Sequence, residues 1–119
     1  MGIKFANIWT GADLPDSNLE ETLLTLSKLD ELASKFEGIV SIEYKADTIF
    51  ADGESLAEIL SNFKNLKVLI DTGHAFALEE NVVDLIKKLN DSNLLGAMHF
   101  GDAVAGDSDA DLPCGRVHD

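Results

Sequence analysis

Strand-like and helix-like patterns alternate strictly along this chain, and no other feature limits its fold more. Four short apolar runs, at residues 3–9, 39–44, 66–70 and 94–100, each predict a strand. Residues 39–42 and 66–70 are short, bounded and rich in branched side chains, as is typical of buried parallel strands. Three segments with a helical spacing of apolar residues separate the four runs. This order predicts βαβ units with right-handed crossovers, and therefore an α/β fold with about four parallel strands and three intervening helices.

The helix boundaries are predicted from capping residues. The first helix should begin at the capping box Ser17-Asn18-Leu19-Glu20, in which the Ser hydroxyl and the Glu carboxylate each accept a hydrogen bond from a free backbone N–H. It should end at Gly38. The second helix is predicted to begin after Asp52, and the third to span residues 78–89.

The end of the chain differs in composition from the rest. Residues 101–119 are rich in Asp and Gly, and we expect an irregular acidic loop on the active face. A loop of that length is usually functional. No linker divides the chain, so residues 1–119 are predicted to form a single unit.

The acidic charge limits the classes of partner. The chain has 22 Asp and Glu against 9 Lys and Arg, a net charge of −13, whereas nucleic-acid binders neutralise phosphates with basic residues. We therefore expect no nucleic-acid partner. Apolar runs are far shorter than the roughly 20 residues of a membrane span, and the first residues lack the order of a signal peptide. These features predict a cytoplasmic protein with no membrane partner. Because Cys114 is the only cysteine, no intrachain disulfide can form.

Three strands end in residues that commonly bind metals: Glu43, Asp71 and His99. Successive members are 28 residues apart, one βα unit each time, which predicts equivalent heights on neighbouring strands. The carboxyl ends of parallel strands hold the active site in such folds, and a carboxylate buried there needs a partner. One divalent cation, Mn²⁺, Zn²⁺, Co²⁺ or Mg²⁺, would satisfy this mixed oxygen and nitrogen set.

Each residue also has a structural interpretation. Glu43 could pair with Lys45 or lie exposed, Asp71 could cap the turn that follows it, and His99 could be a core histidine. Structural packing does not, however, require ligand-type residues at one register on three strands.

Three motifs resemble the xylose-isomerase-like TIM-barrel superfamily, which contains sugar and sugar-phosphate isomerases and epimerases as well as endonuclease IV. They are Asp71-Thr72-Gly73-His74-Ala75, His99-Phe100-Gly101-Asp102 and Asp109-Ala110-Asp111-Leu112-Pro113-Cys114-Gly115. The resemblance covers nearly the whole chain. It implies a partial (β/α)8 barrel whose four strands match the fourth to seventh strands of a family barrel.

The resemblance also implies a site and a reaction. Glu43, Asp71 and His99 would be three of the four metal ligands, and the fourth, a Glu at the end of the eighth strand, is not reached. Glu43 and His74 would be catalytic in the isomerisation or epimerisation of a small sugar or sugar phosphate through an enediolate. The residues expected to bind substrate are Trp9, His74, Asp102 and Arg116.

Two alternative functions remain. An endonuclease IV-like AP endonuclease would need a His at the end of the first strand, where Trp9 stands, and an Asp-x-His pair where the sequence reads Asp109-Ala110-Asp111. Asp109 and Asp111 are therefore candidate second-metal residues only. Basic groups for DNA are also scarce there, since Lys45 and Arg116 are the only candidates. The other alternative is a non-catalytic fragment or interaction module.

Four strands are half of what a barrel of about 250 residues contains. Two explanations are open: a fragment of a longer enzyme, which we favour, or a homodimer in which a second copy closes the edges of the sheet. A doubly wound sheet is a third, weaker arrangement. By itself the chain is expected to be weakly active or inactive.

Overall fold

The computed structural model describes residues 4–11 and 18–118, and it contains one four-stranded parallel sheet. The strands lie side by side in chain order: β1 (Phe5–Trp9), β2 (Ile39–Glu43), β3 (Leu66–Asp71) and β4 (Leu95–His99). The predicted α/β fold with four parallel strands is therefore confirmed.

Two of the connecting helices begin close to their predicted positions. Helix α1 (Leu19–Lys35) is capped by Asn18, whose Oδ1 accepts a hydrogen bond from Glu20 N at 2.9 Å. Ser17, the predicted cap, lies outside the described residues. Helix α2 (Gly53–Leu60) begins directly after Asp52, which caps it by accepting from Ser55 N at 2.8 Å.

The third predicted helix, at residues 78–89, is wrong as a single element. The chain forms α3 (Thr72–Ala77) and α4 (Val82–Asp91), separated by a turn in which Glu79 has φ +57°. Asn81 caps α4, because its Oδ1 accepts a hydrogen bond from Asp84 N at 3.2 Å. The apolar spacing continues across this break, so the spacing alone does not reveal the cap.

The irregular loop predicted for residues 101–119 is partly wrong as well. Strands β5 (Asp102–Val104) and β6 (Asp107–Leu112) form an antiparallel hairpin. The hairpin packs on α3: Gly106 N donates to Ala77 O at 2.7 Å, and Thr72 Oγ1 donates to Gly101 O at 2.6 Å. It therefore lies beside the carboxyl end of β3.

The hydrophobic core lies between one face of the sheet and helices α2 and α4, with Ile42, Val68 and Ile70 fully buried beneath Leu56 and Leu89. Strand β1 has a different environment. All five of its residues are exposed, and it pairs with β2 alone in the described part of the chain.

A bulge in β4 turns His99 toward the carboxylates. Val68 pairs with Leu95, but the next residue, Leu69, pairs with Ala97, so Gly96 is an extra residue. Because side chains alternate between the faces of a strand, one extra residue exchanges the faces of all that follow. Leu95 packs against the core, and His99 pairs with Asp71 on the opposite face.

Only glycine fits at the bulge, and this generates a prediction. A Cβ on Gly96 would collide with Ser41 Oγ and lie 2.5 Å from Lys67 Cβ. Gly96→Ala should lower the free energy of unfolding by about 1–3 kcal/mol, the usual cost of overpacking, measured by urea denaturation. Gly101→Ala is the matched control, because its nearest neighbour would lie at an ordinary 3.7 Å. Equal stability of the two variants would contradict the steric role of Gly96.

Candidate active site

The carboxyl ends of β2, β3 and β4 bring Glu43, Asp71 and His99 together. Each offers one ligand atom, and the three atoms lie within 4.8 Å of one another. His99 Nδ1 is 3.7 Å from Glu43 Oε2 and 3.8 Å from Asp71 Oδ2. The parallel register and the bulge place all three on one face of the sheet.

Each carboxylate is held through one oxygen and leaves the other beside His99. Asp71 Oδ1 caps α3 by accepting from Gly73 N at 2.8 Å and His74 N at 3.3 Å. Glu43 Oε1 lies 3.1 Å from His74 Nδ1. The side chains of Glu43 and Asp71 are 17% and 20% exposed, and no described Lys or Arg lies within 4.0 Å of either carboxylate. The capping role of Asp71 therefore uses one oxygen and leaves Oδ2 available.

His74 lies on α3 and supports Glu43. Its Nδ1 is buried and lies 3.1 Å from Glu43 Oε1 without making a hydrogen bond, so the interaction is mainly electrostatic. Glu43 raises the pKa of His74, burial opposes the rise, and the nearby charge of Asp71 adds to it. The protonated imidazole is thereby favoured beside Glu43.

The cluster fits a divalent cation. Ligand atoms at 2.0–2.2 Å from one ion lie roughly 3–4 Å from each other, as the two His99 separations do. Two partly buried carboxylates repel each other unless a positive charge lies between them. Glu43, Asp71 and His99 could therefore hold the ion, with Oε2, Oδ2 and Nδ1 as the donor atoms.

A cavity of about 190 Å³ adjoins this cluster, lined by Trp9, Glu43, Lys45 and His74. Trp9 pairs in register with Glu43 and its side chain is more than half exposed. The sequence suggested Lys45 only as a partner of Glu43 or as a basic group for DNA. It pairs instead with Asp109 of β6. Lys45 lies two residues after Glu43, just beyond the end of β2, and this spacing was the signal that both could line one cavity.

Asp102 lies elsewhere and is 1% exposed. Its Oδ2 accepts from Val117 N at 2.6 Å and His118 N at 3.0 Å, and its Oδ1 lies 2.7 Å from His118 Nδ1. The His118 ring stacks on Phe76 with centroids 4.2 Å apart. Both carboxylate oxygens thus bind the C-terminal segment. Asp102 is therefore not one of the proposed substrate contacts.

The remaining predicted residues, Arg116, Asp109 and Asp111, are not brought to the metal cluster. Arg116 is exposed in the turn after β6, and its guanidinium makes no hydrogen bond or ion pair with other described residues. Asp109 pairs with Lys45, and Asp111 belongs to no metal-type cluster among the described residues.

The parallel sheet, its helices and the site at the strand ends define a partial (β/α)8 barrel. The family described as "Xylose isomerase-like TIM barrel" matches residues 1–117, and the chain belongs to that family. No curated protein sequence matches this chain. No helix of residues 4–11 and 18–118 combines the length and apolar character of a membrane span.

Two solved structures show the same fold. The 3-keto-D-glucoside 4-epimerase YcjR from E. coli, in its apo form, superposes with a TM-score of 0.70 at 17% identity over 81% of this chain and 43% of its own. A D-tagatose 3-epimerase-like protein superposes with a TM-score of 0.62 at 24% identity over 82% of this chain and 40% of its own. The chain thus spans less than half the length of either structure.

The hydrogen bonds of Asp102 predict an acid-sensitive contribution to stability. Burial alone would raise the pKa of Asp102, but the N–H groups of Val117, His118 and Ala103 and the His118 ring hold it well below its ordinary value of 3.8. A lowered pKa in the folded state gives stability that is present above the ordinary pKa and lost as the pH falls through the folded pKa. Urea midpoints of the wild type and Asp102→Asn should therefore differ most near pH 6, and the difference should begin to shrink as the pH falls below about 4 toward the lowered pKa of Asp102.

The matched control for that measurement is Asp91→Asn. Asp91 is exposed in the last turn of α4 and makes no ion pair with other described residues. Its substitution should change stability by less than about 0.5 kcal/mol. A constant difference between wild type and Asp102→Asn from pH 6 to pH 3 would contradict the assigned role of Asp102.

Proposed function

We propose that this chain carries the metal-binding half of a divalent-metal-dependent sugar isomerase or epimerase. The observation that supports this most is the common approach of Glu43 Oε2, Asp71 Oδ2 and His99 Nδ1 within 4.8 Å. Family membership and the names of the two similar structures, a 3-keto-D-glucoside 4-epimerase and a D-tagatose 3-epimerase-like protein, favour a sugar substrate.

The proposed ion has one chemical task. When bound by Glu43, Asp71 and His99, a divalent cation supplies a Lewis acid that polarises a sugar carbonyl and the neighbouring hydroxyl. Mn²⁺, Zn²⁺, Co²⁺ and Mg²⁺ are all compatible with two carboxylates and one imidazole. We propose Mn²⁺ as the first ion to test, because this mixed donor set suits it and it is directly observable by electron paramagnetic resonance.

The proton transfers are assigned to this chain's own carboxylate and imidazole. Removal of a proton from the carbon next to a carbonyl, and its return to another carbon or face, give an enediolate route to isomerisation or epimerisation. Glu43 is the proposed base, and His74, whose Nδ1 lies 3.1 Å from Glu43 Oε1, is proposed to hold that carboxylate in position. His74 also donates to a substrate oxygen in this proposal, and Trp9 offers an exposed aromatic face for the sugar ring.

We propose that the chain by itself binds the ion but has little or no activity on sugars. Only three ligands come together among the residues that the structure describes, and the cavity of about 190 Å³ is smaller than the ~300–1,000 Å³ usual for small-molecule sites. The rest of a barrel, or a second copy, would have to supply the other wall. Activity comparable to that of complete epimerases in the 119-residue chain would contradict this part of the proposal.

The metal site predicts a specific pattern of affinities. Glu43→Gln, Asp71→Asn and His99→Ala should each weaken Mn²⁺ binding by at least about tenfold, measured by electron paramagnetic resonance titration. Asp71→Asn is informative because Asn caps helices about as well as Asp, so α3 should remain formed. Mn²⁺ should also raise the melting temperature of the wild type by mass action, and raise it less in the variants.

Asp91→Asn is the control for lost negative charge, since Asp91 lies in the last turn of α4, away from the strand ends. Its Mn²⁺ affinity should equal that of the wild type. If the three ligand variants bind Mn²⁺ as tightly as Asp91→Asn, the metal site and the proposed function are both lost.

A further inference from the structure

Lys45 is the one Lys or Arg side chain that lines the cavity beside the candidate metal ligands, among the residues that the structure describes. Its side chain is 27% exposed. An ammonium group in such a position is the usual recognition element for a phosphate or carboxylate on a substrate. Whether the ammonium group of Lys45 is free or already paired therefore affects whether the site can bind an anionic sugar.

Asp109 already neutralises that ammonium group. Lys45 Nζ donates a hydrogen bond to Asp109 Oδ1, which reaches across from β6 of the hairpin. The hydrogen bond from Lys45 lowers the pKa of Asp109, so that carboxyl group is ionised at neutral pH. The contact between the Lys45 ammonium group and the Asp109 carboxylate is therefore an ion pair.

The other charges near Lys45 are mostly negative. The carboxylates of Asp111 and Glu43 are near enough to Lys45 to interact with its ammonium group. Asp71 lies on the next strand, with His99 between it and Glu43. A phosphate group placed at Lys45 would have to displace Asp109, and it would then lie near that displaced carboxylate and near Asp111. Like charges brought together in this way weaken binding.

Two backbone N–H groups at the start of α3 are not available to an anion. Free N–H groups at the start of a helix commonly bind phosphate. At α3, however, Asp71 Oδ1 accepts hydrogen bonds from Gly73 N and His74 N, so those two donors are taken. Two independent features, the Asp109 pair and the Asp71 cap, thus occupy the Lys45 ammonium group and two backbone N–H groups, while His74 Nδ1 faces Glu43.

We propose that Asp109 acts as a specificity residue that blocks Lys45, so that the site takes an uncharged sugar and rejects phosphorylated sugars. This inference rests on the proposed function for the substrate class. It concerns Lys45 and Asp109 rather than the metal ligands, so the two can be tested separately.

The test uses inorganic phosphate as the probe and the full chain as the protein. Equilibrium dialysis measures the affinity, and the fluorescence of Trp9, the only tryptophan, reports entry into the cavity. Asp109→Asn frees Lys45 and should bind phosphate at least about tenfold more tightly than the wild type, with a change in Trp9 fluorescence. The double variant Lys45→Met/Asp109→Asn should lose that gain.

Asp91→Asn removes the same charge far from the cavity and should bind phosphate as weakly as the wild type. Three results would overturn the proposal: equal phosphate affinity of wild type and Asp109→Asn, an equal gain in Asp91→Asn, or a gain that survives in the double variant. Circular dichroism confirms that each variant is folded.

Mn²⁺ titration of Asp109→Asn, in phosphate-free buffer, separates this proposal from the proposed function. If the wild type and Asp109→Asn both fail to bind Mn²⁺, the metal-dependent function fails, whereas the phosphate result still decides the role of Asp109. If both bind Mn²⁺ and phosphate affinity is unchanged by Asp109→Asn, the specificity proposal alone fails.

Discussion

The register of the central strands is the constraint on which the site depends. Glu43, Asp71 and His99 share one face only because β2, β3 and β4 are parallel and β4 contains one extra residue. Without the bulge at Gly96, the alternation of side chains would turn His99 toward the helices. The close approach of Gly96 to Ser41 and Lys67 keeps the bulge in place. A packing detail inside the sheet thus determines the donor set of the proposed cation.

On the sheet face that carries the site, the layer of side chains next to the metal ligands is polar. Asn7, Ser41 and Lys67 pair in register across three strands, and Ser41 Oγ is buried without a hydrogen-bond partner among the described residues. Barrel interiors are mostly filled by branched apolar side chains. Together with the exposed β1, this layer supports our proposal that the rest of a barrel, or a second copy, supplies the other wall of the site.

The alternation of patterns predicted the parallel sheet, because buried parallel strands and amphipathic helices differ in length and period. The 28-residue spacing likewise predicted the approach of Glu43, Asp71 and His99. Neither pattern predicted the bulge at Gly96, although a glycine inside a strand is the usual signal of a bulge. The break at residues 78–81 was missed because Asn81 caps a second helix without interrupting the apolar spacing. The hairpin and the burial of Asp102 depend on tertiary contacts with α3 and His118 that no local pattern records.

Diffraction from crystals grown with Mn²⁺, recorded at the manganese absorption edge, tests the central claim most directly. The account predicts one strong anomalous peak at about 2.0–2.2 Å from Glu43 Oε2, Asp71 Oδ2 and His99 Nδ1. A peak beside Asp109 and Asp111 instead, or no peak near these three side chains at saturating Mn²⁺, would contradict it.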